Sequence, residues 1–156
     1  MNELLINPNK TACLTGHRIL SKDFSKYKLE SKIKQLLLDG YDTFFVFMAI
    51  GFDSEGFKVL LKLKEEYPLK IIACIPCLNQ SEKFNLKQKK EYEFLLSKAD
   101  DQILISKEYT PTCMNKRNKF MVDYSSAVIA HLTRENGGTA NTVAYAIKKG
   151  LNVIYV

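Results

Sequence analysis

Three short segments place anion-holding groups directly after apolar runs: Thr15-Gly16-His17-Arg18, Gly51-Phe52-Asp53 and Gly137-Gly138-Thr139. Glycine lets backbone N–H groups approach a phosphate closely, a threonine hydroxyl can donate to it, and a guanidinium can clamp it. The chain has 23 basic residues, yet only Arg18, Arg117 and Arg134 are arginines. Lysine is the default cation here. The rare planar guanidinium near these segments therefore points to specific recognition of a phosphate or carboxylate.

Each segment offers a distinct chemistry. His17 has no carboxylate partner nearby in sequence, so it reads as a turn histidine or a donor to phosphate before it reads as a general acid or base. Asp53 falls where a helix begins and is expected to cap it. It could also accept hydrogen bonds from a ribose or base, provided its two oxygens divide the work. Gln80 is placed for a polar contact, and Arg117 and Asn118 sit in the first turns of a later helix. Arg134 precedes the Gly137-Gly138-Thr139 loop, which is followed by a well-patterned helix containing Thr142, a context suited to cradling phosphate. That loop is neither G-x-G-x-x-G nor a P-loop sequence, and no lysine follows it. Cys74-Ile75-Pro76-Cys77 is formally C-x-x-C. Its first thiol lies inside a strand run, so a packed thiol is expected rather than a redox pair. No second close-spaced pair completes a zinc site, and no metal is expected.

The elements that must position these residues follow from periodicity. Short apolar runs at 11–15, 43–50, 70–76, 101–105, 126–132 and 152–156 read as strands buried on both faces. Amphipathic segments at 23–38, 54–66, 84–98, 114–124 and 139–149 read as helices between them. The alternation predicts one domain over residues 1–156, an α/β fold of the Rossmann-like three-layer type. A mostly parallel sheet of about six strands carries helices on both faces. Ligands then bind beyond the carboxyl ends of the strands, where helix N-termini also point.

Composition narrows the classes further. At 156 residues the chain can bury a sizeable core. Hydrophobic content of 46% and charged content of 26% are those of an ordinary globular protein. The net charge of +6 favours anionic ligands, although many lysines belong to a solvated helix face. No segment is long enough to span a membrane, and the N-terminus has no signal-peptide pattern. The expected setting is the cytoplasm with reduced thiols. A homodimer is the expected oligomer, as the commonest kind.

Taken in order, Thr15-Gly16-His17-Arg18, Met48-Ala49-Ile50-Gly51-Phe52-Asp53, Cys113-Met114-x-x-Arg117-Asn118, Met121-Val122-Asp123-x-Ser125 and Gly137-Gly138-Thr139-x-Asn141-Thr142 resemble the YpsA-like branch of the SLOG superfamily. The resemblance covers about residues 11–156 and suits a bacterial or phage protein. It implies a Rossmann-like fold with a pocket for a nucleotide or nucleotide derivative, ADP-ribose-like ligands included, and no required cofactor. It carries phosphate contacts to Gly137, Gly138 and Thr139, first-loop contacts to Thr15, Gly16 and Arg18, and second-loop contacts to Gly51 and Asp53. Two departures bear on activity. Phosphoribohydrolases of the superfamily place a glutamate where this chain has Thr142. Relatives in the YpsA-like branch carry a small residue and a glutamate where this chain has Phe57 and Lys58, an exchange expected to tilt the pocket toward acidic ligands.

Three functions fit these residues. The first is a binding protein that senses a nucleotide derivative. The second is a nucleotide N-glycosidase or phosphoribohydrolase, needing a carboxylate from Asp53, Glu55 or Glu135 with His17 assisting. The third, single-stranded DNA binding, ranks last because most aromatics fall in core-like runs; nucleic acid is thus not the expected partner.

Overall fold

The computed structural model describes residues 6–156. Its six strands are β1 (Thr11–Gly16), β2 (Thr43–Val46), β3 (Lys70–Cys77), β4 (Asp101–Ser106), β5 (Ala127–His131) and β6 (Asn152–Tyr155). Between them run α1 (Lys26–Leu38), α2 (Phe52–Lys64), α3 (Leu86–Lys98), α4 (Cys113–Asp123) and α5 (Gly138–Lys148). The strands form one sheet in the order β4-β3-β2-β1-β5-β6, and every pairing is parallel.

Alternation along the strands builds two cores. Ala12, Leu14, Phe44, Val46, Ile71 and Ala73 face the layer of α1, α2 and α3, where Leu29, Ile33, Phe57, Leu60 and Leu95 are buried against them. Cys13, Phe45, Ile72, Cys74, Val128 and Ala130 face α4 and α5, which contribute Met121, Val122, Val143 and Ala146. A sheet covered on both faces needs near-continuous apolar strands, as the sequence provides. Cys13, Cys74, Cys77 and Cys113 are free and buried.

The strand order sets the site. From β1 the chain steps outward through β2, β3 and β4, then crosses back to lay β5 on the other side of β1. The loops leaving β1 and β5 therefore part at their carboxyl ends and open a crevice, the usual ligand position in such sheets.

Two local expectations change. The second apolar run, 43–50, pairs only as far as Val46. From Phe47 the chain leaves the sheet through a turn in which Met48 takes φ 64° and Gly51 φ 85°. An alanine Cβ at Gly51 would lie 2.1 Å from the Arg18 carbonyl oxygen, so both the positive φ and the close approach require glycine. Helix α2 then begins at Phe52, with Gly51 rather than Asp53 at the cap position. Asp53 lies inside the first turn, and its carboxylate reaches back to the Ala49 N–H at 3.2 Å.

Candidate functional site

A cleft of about 430 Å³ opens at the carboxyl ends of β1, β2 and β5. The first loop gives it Thr15, Gly16, His17 and Arg18, and the α5 start gives Gly138 and Thr139 beside Arg134. Arg117 and Asn118 enter from α4, Asp53 from α2, and Gln80 from the segment after β3. Residues far apart in sequence are thus brought together by the switch in strand order.

The backbone around the cleft is poised for an anion. Helices α2, α4 and α5 have no side-chain cap, whereas α1 is capped by Ser25 and α3 by an Asn85–Gln88 capping box. The first N–H groups of a helix have no intrahelical partner and carry the positive end of its dipole. At α5 the preceding Gly137 takes φ 100°, and no heavy atom lies within 4 Å of the Cβ position of Gly138, leaving that turn open. Arg18 and Arg134 are exposed beside it.

Asp53 and Arg117 form the buried side of the cleft. Asp53 is 3% exposed, with Oδ2 held by the Ala49 N–H and Oδ1 buried without a hydrogen-bond partner. Burial pushes its carboxyl up to about 7, against the opposing pull of Arg117, the Ala49 N–H and Arg18. Arg117 is 5% exposed. Its Nη1 donates to the Phe47 carbonyl at 3.0 Å, its Nε donates to Asn118 Oδ1 at 3.2 Å, and its guanidinium lies 4.6 Å from the centroid of the Phe47 ring. Burial pulls its pKa down, and the nearby Asp53 opposes this most strongly.

Several expected contacts have other duties. His17 is buried, and its Nε2 accepts from the Thr133 N–H at 3.1 Å, which fixes the neutral Nδ1–H tautomer. Burial, then the charges of Arg134 and His131, lower its pKa. His17 therefore ties the β1 loop to the β5 loop, and only its Nδ1–H remains to donate. Thr142 turns back on its own helix, donating to the Gly138 carbonyl at 2.8 Å. Gly51 serves the turn before α2, and Gly137 the turn before α5; neither lines the cleft.

Among the carboxylates considered for hydrolysis, only Asp53 lines the cleft. Glu55 pairs with Lys26 at 2.9 Å, and Glu135 is exposed outside it. The expectation for Phe57 and Lys58 is corrected. Phe57 is fully buried in the core, and Lys58 pairs with Glu91 at 2.9 Å and Glu55 at 3.7 Å rather than charging the pocket.

The apolar wall was not foreseen: Phe47, Ile50, Phe84 and Met114 also line the cleft. Gln80 is oriented by Tyr92, whose hydroxyl donates to Oε1 at 3.4 Å, leaving the Gln80 amide N–H groups for a ligand. His131 was also missed. It is structural: its Nδ1 donates to the Val156 carbonyl at 2.9 Å, Nε2 meets the Ser21 hydroxyl at 3.1 Å, and the ring stacks on Phe52.

This architecture can be set against known proteins. The family model YpsA, described as the YspA SLOG family, matches residues 21–152. The chain belongs to the YpsA family of SLOG proteins. A UPF0398 protein of Bacillus thuringiensis (strain Al Hakam) is 29% identical over 127 residues, 80% of this chain and 69% of that protein. The UPF0398 protein BCB4264_A1614 of Bacillus cereus (strain B4264) is 28% identical over the same shares. Among solved structures, the DNA processing protein A of Streptococcus pneumoniae aligns with TM-score 0.70 and 19% identity over 94% of this chain. That of Helicobacter pylori aligns with TM-score 0.68 and 17% identity over 96%. This YpsA-family chain spans 50% and 65% of the lengths of those two chains. At such identities the likeness is one of fold. Among the described residues no helix is long and apolar enough to cross a membrane.

Proposed function

We propose that this protein binds a nucleotide or nucleotide derivative in the cleft between β1 and β5 and acts as a cytoplasmic sensor of it. One observation carries the reading. A single cleft brings together an anion-facing edge, made by Arg18, Arg134 and the uncapped start of α5, and the unpartnered Oδ1 of Asp53. A nucleotide carries both complements, a phosphate for the edge and hydroxyl or N–H donors for the carboxylate. The apolar wall of Phe47, Ile50, Phe84 and Met114 gives a base or sugar a surface to lie on. Phosphate rests on the N–H groups of Gly138 and Thr139.

A hydrolytic reading draws on Asp53 alone, a buried carboxylate whose pKa near neutrality suits proton transfer. Against it, Glu55 and Glu135 lie outside the cleft and the Nε2 of His17 is already engaged. A thermal-shift screen of the purified protein against mononucleotides, ADP-ribose, NAD and cyclic nucleotides separates the two, with hits followed by chromatography. A ligand that raises Tm and is recovered unchanged supports the sensor. Release of free base or phosphate supports the hydrolase. Silence across the screen defeats both.

A further inference from the structure

The central cleft has a side chamber. A cavity of about 620 Å³ adjoins it, and the two share Arg18, Ile50, Gln80, Phe84 and Met114 as common walls. Beyond those shared residues the chamber is lined by Cys77, Asn79, Glu82, Lys83, Gln88 and Tyr109. Each cavity lies within the roughly 300–1,000 Å³ typical of a small-molecule site, so the pair offers room for a ligand of two parts.

The chamber is built for a flat ring. Phe84, Tyr109, Ile50 and Met114 supply aromatic faces, an aliphatic surface and a thioether, the groups that pack against planar heterocycles. The Phe84 ring is held edge-to-face by Tyr92, with centroids 5.8 Å apart, and the α3 capping box begins at the next residue. Its position is therefore fixed before any ligand arrives. Gln80 faces both cavities with its amide N–H groups free to donate. Arg18 is common to both cavities, where its guanidinium is placed to clamp an anion joining two parts of a ligand.

We propose that the Phe84–Tyr109 chamber is a second subsite, and that the ligand is of dinucleotide size, with phosphates running from Gly138–Thr139 to Arg18 and a second planar ring beside Phe84. This rests on the nucleotide reading of the central cleft and narrows it from any nucleotide to one with a ring at each end.

The test is calorimetric titration of the full chain with three probes: AMP, ADP-ribose and NAD. They differ in turn by a second phosphoribose and a second ring. NAD is expected to bind more tightly than ADP-ribose. Tyr109→Ala, at a side chain that lines the chamber and not the central cleft, is expected to weaken NAD by about 5- to 150-fold, the range for losing one ring-stacking contact, while AMP changes less than about twofold. Phe84→Ala, at a ring that walls both cavities, is expected to weaken NAD more than AMP. Equal affinity for NAD and ADP-ribose overturns the second subsite and leaves the nucleotide reading standing. So do variants that weaken AMP and NAD alike, or weaken neither. Failure of all three probes to bind overturns the nucleotide reading and the subsite together.

Discussion

Asp53 and Arg117 hold the same turn at two points: Oδ2 of Asp53 accepts the Ala49 N–H at 3.2 Å, and Nη1 of Arg117 donates to the Phe47 carbonyl at 3.0 Å. Backbone that leaves a buried strand loses its ladder partners and must be satisfied elsewhere. Here the satisfying groups are two charged side chains that also line the cleft. One arm of each is structural, and Asp53 keeps an unpartnered oxygen for chemistry.

The buried carboxyl should leave a mark on stability. The Asp53 pKa is raised from 3.8 to about 7 in the folded chain, so between these values the folded state holds a proton that the unfolded state has lost. This contribution is fully present below 3.8 and is lost as pH rises through about 7. The interval spans about three decades of pH at ~1.4 kcal/mol each, a ceiling of about 4 kcal/mol. Asp53→Asn keeps an oxygen for the Ala49 N–H and carries no titrating group. Urea denaturation of both proteins from pH 4 to pH 8 should show the variant gaining on the wild type as pH rises. A difference independent of pH would contradict the buried, titrating carboxyl.

His17 acts in the opposite direction. Its pKa is lowered, so its contribution is present above the usual 6.5 and is lost as pH falls through the depressed value. Protonated Nε2 would meet the Thr133 N–H donor head-on. His17→Gln supplies a carbonyl oxygen that cannot be protonated in this range. Below pH 6 it should lose less stability than the wild type, while His17→Ala should be weaker by about 1 kcal/mol at pH 7.5. A wild type and His17→Gln that decline in parallel would remove the histidine as the source.

Much of this fold is legible because buried parallel strands and amphipathic helices announce themselves by period alone, as in 70–76 and 139–149. The site was legible where one rule applied, that loops after parallel strands share an edge. That rule places Arg18, Asp53, Arg117 and Gly138 together. The apolar run 43–50 outlasts the strand because Phe47 to Ile50 is as apolar as a strand, yet Phe47 and Ile50 wall the cleft. The Phe47 carbonyl is instead bonded by Arg117 from 70 residues away, a distance over which local pattern carries no information. Phe84 and Met114 were missed because an apolar residue at a helix start resembles an ordinary packing residue.

Two glycines should respond in opposite ways. Gly51→Ala forces a Cβ into the Arg18 carbonyl at a φ of 85°, and should destabilise by more than about 2 kcal/mol. Gly138→Asp meets no heavy atom within 4 Å of its Cβ and adds a negative charge at the start of α5, where the helix dipole favours it. Its Tm should stay at or above that of the wild type. Its carboxylate takes the place of the phosphate, so any nucleotide that shifts the wild-type Tm should leave this variant unmoved. Normal titration by Gly138→Asp would sink the phosphate-loop assignment.

The arginines should divide the same way, and the contrast tests whether the cleft binds by its exposed edge. Arg18 is exposed and packs on Gly51 through its backbone, which Arg18→Ala retains. Stability should therefore change by less than about 0.5 kcal/mol. Loss of one charge-assisted contact should weaken nucleotide binding by roughly 10- to 100-fold. Arg117→Met keeps the length of a buried side chain but deprives the Phe47 carbonyl of its donor and Asp53 of its nearby cation. It should cost about 1–3 kcal/mol and push the Asp53 pKa higher still. In calorimetry, Arg18→Ala should thus melt like the wild type and bind poorly, while Arg117→Met should melt early. An Arg18→Ala protein that binds every nucleotide as the wild type does would move the anion away from the β1 loop and onto Arg134 and α5 alone.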